Sequence, residues 1–178
     1  MLANPRHSCV VLLNVTRGEG WDAQAFPLRS GARQPLLPAC SEIFGVPQIA
    51  VGEYEPSVLP DRIAASIEHL DVDPLSLWRD PRLKPRLVQS DVGVIFLGGA
   101  FLEEEVLIAA LEGARHGYDI RLLSDLSVAR HEADRPLALA RLAHYGIFAT
   151  TIRQALLEWA VSQADQAVSR KIQELLSQ

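Results

Sequence analysis

The chain predicts an α/β fold: a three-layer αβα sandwich around a mostly parallel central sheet. Three observations predict it. Short unbroken apolar runs, led by Cys9-Val10-Val11-Leu12-Leu13 and Val92-Gly93-Val94-Ile95-Phe96-Leu97, read as strands buried on both faces. Stretches with helical apolar spacing separate them. Strand and helix alternate along most of the chain, which favours parallel pairing with helices on both faces.

The elements follow in order. Cys9–Leu13 is the first strand, and 35–44 a short helix stopped by Gly45. Val46-Pro47-Gln48-Ile49-Ala50-Val51 is the second strand. Residues 60–70 are predicted helical, with Ile63, Ala64, Ile67 and Leu70 on one face. Residues 71–85, with three prolines and scattered charges, read as a surface loop. Residues 92–97 form the strongest strand, which Gly98-Gly99 is expected to end. A helix over 102–116 stops at Gly117. Strand 119–123, helix 134–144 and strand 147–150 follow, and helices over 152–162 and 164–176 close the chain. The apolar positions of these last two (Leu156, Leu157, Trp159, Ala160, Val168, Ile172, Leu175, Leu176) are candidates for a partner face or for internal packing. The whole of 1–178 is expected to be one domain.

Composition narrows the function classes. The 178 residues are 48% hydrophobic and 22% charged, so the chain can bury a sizeable core. A net charge of -5 and a pI near 5.5 speak against a nucleic-acid partner, which would want a basic patch. The longest uncharged stretch, 92–102, falls far short of the roughly 20 residues that span a bilayer. The opening MLANPRHS lacks the order of a secretory signal. A cytoplasmic protein without a membrane partner is expected, its two cysteines reduced and packed.

In folds of this class, ligands sit beyond the carboxyl ends of the strands. The windows to inspect are 14–19, 52–56 and 99–105. From them Thr16, Glu53, Tyr54, Gly99, Ala100 and Phe101 are candidate ligand-binding residues for a small molecule. Arg17, Glu19, Trp21 and Asp22 follow the first strand and are further contacts to consider, against the alternative of a solvated loop. The sequence contains no GxGxxG, P-loop or GxSxG. Its five histidines show no metal-ligand spacing, so neither metal nor cofactor is expected. Glu103-Glu104-Glu105 opens a predicted helix, where carboxylates favour the positive end of the dipole by about 0.3–1 kcal/mol each. Alternatively, one of them projects into the site.

Longer stretches carry a resemblance. Val94-Ile95-Phe96-Leu97-Gly98-Gly99, His116-Gly117-Tyr118 running into Asp119-Ile120-Arg121-Leu122-Leu123-Ser124-Asp125, and Asp134-Arg135-Pro136-Leu137-Ala138-Leu139-Ala140-Arg141-Leu142 lead it. Tyr145-Gly146-Ile147-Phe148-Ala149-Thr150-Thr151, the tail Lys171-Ile172-Gln173-Glu174-Leu175-Leu176, and Phe44 to Pro56 in the first half continue it. Together they resemble the isochorismatase-like cysteine hydrolases, in particular the isochorismatase domain-containing group. The resemblance spans nearly the whole chain and implies a Rossmann-related sandwich, hydrolysis of C–N or ether bonds, and a homo-oligomer, dimeric or larger.

It also implies a catalytic Asp, Lys and Cys in that chain order. A thiolate at a helix start attacks a carbonyl carbon, with its pKa lowered by the dipole and the Lys, while the Asp handles the proton. Here the Asp position falls on Asn14, the Lys position at about Asp73 and the Cys position on Glu105; Thr16 stands where a Gln is usual. The substitution can be checked without alignment. The only cysteines, Cys9 and Cys40, precede the only lysines, Lys84 and Lys171, so a Lys-before-Cys order occurs nowhere.

Three expectations follow. The first is a non-catalytic binding or interaction protein on a hydrolase scaffold. The second is an active hydrolase of a small amide or ester-like substrate, with a carboxylate site rebuilt around Glu105, Asp73 and Glu53. In that case two like charges would raise one carboxyl pKa, or the carboxylates would hold a hard cation. The third is a structural assembly subunit.

Overall fold

The computed structural model describes residues 2–17 and 36–177. Among these residues six strands form one sheet, all parallel: β1 (Ser8–Leu13), β2 (Gln48–Val51), β3 (Glu68–Leu70), β4 (Val94–Ala100), β5 (Asp119–Val128) and β6 (Phe148–Thr150), in the spatial order 3-2-1-4-5-6. The order reverses between β1 and β4, and in such sheets a crevice opens there at the carboxyl ends. Around the sheet lie α1 (Leu37–Glu42), α2 (Asp61–Ala64), α3 (Leu83–Gln89), α4 (Leu107–Arg115), α5 (Arg135–His144), α6 (Ile152–Ser162) and α7 (Gln166–Leu176). The expected sandwich is therefore what the chain forms.

The two faces of β1 explain its unbroken apolar run. Val10 and Leu12 pack into one layer with α1, α6 and α7; Cys9, Val11 and Leu13 pack into the other with α3, α4 and α5. Trp159 of α6 is fully buried in the first layer, edge-on to Phe96 and Phe44, and its indole Nε1 donates to Ser8 Oγ at 3.2 Å. An indole this buried needs such a partner, because an unmet buried donor costs about 1–3 kcal/mol. Leu156, Trp159, Ala160 and Ile172 thus belong to the chain's own core, with Val168, Leu175 and Leu176 half-covered against it. Of the positions considered for a partner face, Leu157 is the exposed one.

Three expectations need correction. Residues 60–70 are not one helix: α2 stops at Ala64, and Glu68–Leu70 become the edge strand β3 beside β2. Ile63, Ile67 and Leu70 are buried in both readings, so apolar spacing alone did not separate them. The proline-rich stretch holds a 3-10 turn, Pro74–Arg79, and the start of α3, whose Leu83 and Leu87 reach the core. Finally, Gly98-Gly99 does not end β4. The strand continues through both glycines to Ala100, next to β1 and β5. A Cβ on Gly99 would lie 2.1 Å from the Leu13 carbonyl oxygen, and φ is +119°. The glycine is there because β1 comes too close for any side chain.

Among the described residues no helix is long and apolar enough to cross a membrane.

Candidate functional site

At the carboxyl ends of β1, β2 and β4 the chain is held by one side chain. Asn14 follows β1 in the left-handed conformation, φ +49°, which asparagine tolerates better than most residues. It is 1% exposed. Its Oδ1 accepts from the Glu53 N–H beyond β2 at 3.0 Å, and its Nδ2 donates to the Ala100 carbonyl at the end of β4, also 3.0 Å. Its own N–H donates to the Val51 carbonyl at 2.8 Å. The amide uses one acceptor and one donor, a pairing that an ionised carboxylate cannot make. Gly52 leaves room for it: a Cβ there would stand 2.3 Å from Asn14 Oδ1.

Thr16 adds a second clasp between the same segments, its Oγ1 accepting from the Glu55 N–H at 2.7 Å. The Ala100–Phe101 peptide bond is cis. Beyond it, residues 102–106 form a wide helical turn in which Glu104 leaves helical geometry (φ -112°, ψ -108°), and α4 starts at Leu107. The expected helix over 102–116 is therefore kinked.

The kink sends the three carboxylates in different directions. Glu103 accepts from the His131 N–H at 2.7 Å, and Glu104 pairs with Arg130 through two hydrogen bonds of 2.7 and 3.1 Å. Glu105 turns into the site. One of its oxygens accepts from Arg17 Nη2 at 2.7 Å and the other from the Phe101 N–H at 3.2 Å. Arg17 Nε in turn donates to Glu53 at 2.9 Å. The side chains of Arg17 and Glu105 are only 18% and 14% exposed. The Arg17 and Arg130 guanidinium carbons lie 5.1 and 4.1 Å from the centre of the buried Phe101 ring, within cation–π range.

These contacts set the charge states. Partial burial pushes the Glu105 carboxyl up, but hydrogen bonds from Arg17 and from backbone N–H groups outweigh it and hold the group below its ordinary value. Burial likewise disfavours the Arg17 cation, and its bonds to Glu105 and Glu53 more than restore it. The raised carboxyl pKa expected from a neighbouring Asp73 is not what forms. Asp73 is exposed and caps its own 3-10 turn by accepting from the Leu75 N–H at 3.0 Å. Only its neighbour Pro74 reaches the strand ends, against Gly52. Tyr54 also turns aside, donating to the Ala64 carbonyl at 3.2 Å and lying with its ring tilted against that of His69, centroids 5.0 Å apart.

Neither thiol approaches this place. Cys9 is buried inside β1, and its thiol is pushed up to about 12 by that burial and, secondarily, by Glu68. Cys40 is buried in α1 and its thiol is also pushed up by burial. Lys84 is exposed on α3. Among the described residues no three of His, Cys, Asp and Glu cluster as metal ligands.

The structure thus brings together Asn14, Thr16, Glu53, Gly99, Ala100, Phe101 and Glu105, while Asp73 and Tyr54 serve their own segments. Glu19, Trp21 and Asp22 lie outside the described residues. Sequence reasoning assigned Arg17 no definite role and did not single out Arg130. Their signal was faint: arginines close behind β1 and β5, opposite an acidic run.

Comparison with known proteins agrees with this architecture. No family model matches the chain. It is 25% identical over 145 residues to isochorismatase domain-containing protein 2 of Danio rerio, covering 80% of this chain and 73% of that protein. The MAR1 ribonuclease structure from Caenorhabditis elegans superposes with a TM-score of 0.75 at 17% identity, covering 100% and 93% of the two chains. The YcaC protein of Escherichia coli, an octameric hydrolase of unknown specificity, superposes with a TM-score of 0.72 at 16% identity, covering 98% and 90%. The chain has the isochorismatase-like hydrolase fold.

Proposed function

We propose that this protein is a non-catalytic binding or interaction protein built on the isochorismatase-like hydrolase scaffold. One observation supports the reading: Glu105, which the resemblance sets at the position of the family's cysteine, is ionised and tied to Arg17 at 2.7 Å. A carboxylate locked in that pair is a weak nucleophile toward an amide and carries no proton to donate near neutral pH. Asn14, which the resemblance sets at the position of the proton-handling acid, spends its amide on two backbone partners. Both cysteines lie in the core with raised pKa values, where a thiolate is suppressed.

The test is a hydrolysis screen of the purified protein against nicotinamide, N-carbamoylsarcosine, isochorismate and simple amides, with an RNA arm because one structural neighbour is named a ribonuclease. No turnover is expected. Hydrolysis that disappears in Glu105→Ala would overturn the reading in favour of a rebuilt carboxylate site.

The scaffold is also proposed to self-associate. An octameric neighbour matches nearly the whole chain, and Leu137, Tyr145 and Phe148 stand exposed on α5 and about the edge strand β6. Exposed apolar groups on an edge strand and on the helix before it favour contact with another chain. Light scattering tests this: a mass near 19.6 kDa would argue for the monomer.

A further inference from the structure

We propose that the two outer strands of the sheet are complementary, and that self-association runs head to tail: β6 and α5 of one copy dock on β3 and the segment after it, residues 71–75, of a second copy. The inference rests on the self-association reading and deepens it by naming which surfaces meet.

Among the described residues the strand order 3-2-1-4-5-6 sets β3 and β6 at opposite ends of the sheet. Their sequences differ in charge. Residues 135–157, which span α5, β6 and the start of α6, hold Arg135, Arg141 and Arg153 and no Asp or Glu. In a chain of net charge -5 that run is the exception. Residues 63–78, which span β3 and lead through the 3-10 turn, hold Glu68, Asp71 and Asp73 and no Lys or Arg. Both edges also expose apolar groups, Leu137, Tyr145 and Phe148 at one and Leu75 at the other.

Contacts within the chain leave this contrast in place. Arg135 is held by Glu132, but Arg141 is exposed on α5. Arg153 donates to the Leu176 carbonyl, which does not cancel its charge. At the other edge Arg86 pairs with Glu68 at 2.7 Å and Arg82 with Asp80 at 2.8 Å. Asp71 and Asp73 are exposed there, and Asp73 keeps its charge while accepting from the Leu75 N–H. The exposed cations Arg79 and Lys84 come later, at the end of the turn and on α3.

The direction of assembly follows. A two-fold contact of β6 with β6 would bring Arg141 and Arg153 towards their own copies, and one of β3 with β3 would gather Asp71 and Asp73. Like charges brought together oppose association, so charge selects the mixed pairing, while covered apolar groups supply the adhesion. All strands run the same way, so a step from β6 to the β3 of the next copy keeps the parallel sense of the sheet. A heterologous contact of this kind closes into a ring or grows open-ended, according to the rotation between copies.

The experiment mixes two full-length variants. Arg141→Glu with Phe148→Glu makes the β6 edge acidic, and Asp71→Lys with Leu75→Lys makes the β3 edge basic. Light scattering reads the mass, and circular dichroism with thermal melting shows that each variant is folded. The unaltered protein is expected to assemble, each variant alone to run near 19.6 kDa, and the equimolar mixture to recover at least twice that mass. A two-fold dimer gives a different pattern: one variant still assembles alone, and mixing adds nothing. Either variant assembling alone like the unaltered protein, or a mixture that stays at monomer mass, overturns the head-to-tail pairing and leaves self-association standing. An unaltered protein at 19.6 kDa removes the self-association reading and the pairing with it. Should a double variant melt early, the single changes Arg141→Glu and Asp71→Lys carry the same test, and a mixture that assembles no better than its components overturns the pairing.

Discussion

Asn14 donates its side-chain amide to the Ala100 carbonyl across 3.0 Å, tying the end of β1 to the end of β4 inside the core. The bond needs a donor. Asn14→Asp sets a carboxylate against a carbonyl oxygen. We expect a loss of about 1–3 kcal/mol, or roughly 2–12 °C in Tm for a chain of this length. Urea and thermal denaturation measure it. A variant as stable as the parent would show that the staple is dispensable.

Glu105 makes stability depend on pH. Its folded-state pKa lies below that of an unfolded glutamate, so its contribution is fully present above about pH 4.3 and is lost as the pH falls through the folded value. Glu105→Gln should cost about 1–3 kcal/mol at pH 7. The gap between the two proteins should narrow steadily below pH 4.3. Urea midpoints across the acid range test this, and a gap that widens on acidification would contradict it.

Gly99→Ala introduces a methyl group 2.1 Å from the Leu13 carbonyl oxygen, at a φ of +119°. The nearest atoms all belong to the Leu13 backbone and cannot swing away as a side-chain tip would. A loss of about 3 kcal/mol or more is expected, seen as a large drop in the urea midpoint or in soluble yield. Near-native stability would mean that β1 and β4 can separate cheaply.

The thiols should be silent in the folded protein. Both are buried with raised pKa values, and the thiolate is the reactive form. Ellman's reagent at pH 8 should label neither Cys9 nor Cys40 until denaturant is added, and should then label both. Rapid labelling of one thiol in the native protein would reopen the question of a sulfur nucleophile.

The buried parallel strands were legible because burial on both faces leaves a continuous apolar signature, as in Cys9–Leu13. The α6 helix was read with its boundaries, since Thr151 caps its start, accepting from the Gln154 N–H. Short elements were not legible. In the three-residue strand β3, Glu68 and His69 are exposed and only Leu70 is buried, so no alternation reveals it. At the site, Asn14 and Glu105 could be singled out from the sequence, but the partners they take could not. The Arg17–Glu105 pair joins residues 88 apart in the chain, and the kink at Glu104 decides which of three consecutive carboxylates receives the arginine. Neither long-range proximity nor a local break in helical geometry is written in residue spacing.

The placement of β1 between β2 and β4 also governs the order of events at the ribosome. Ser8–Leu13 emerges well before one of its two flanking strands, Val94–Ala100, which is translated about 80 residues later. Until then the most apolar strand keeps an open hydrogen-bonding edge, the condition under which nascent chains stick to one another. Chains truncated before Val94 should therefore collect in the insoluble fraction, whereas chains released after β4 can close the centre of the sheet.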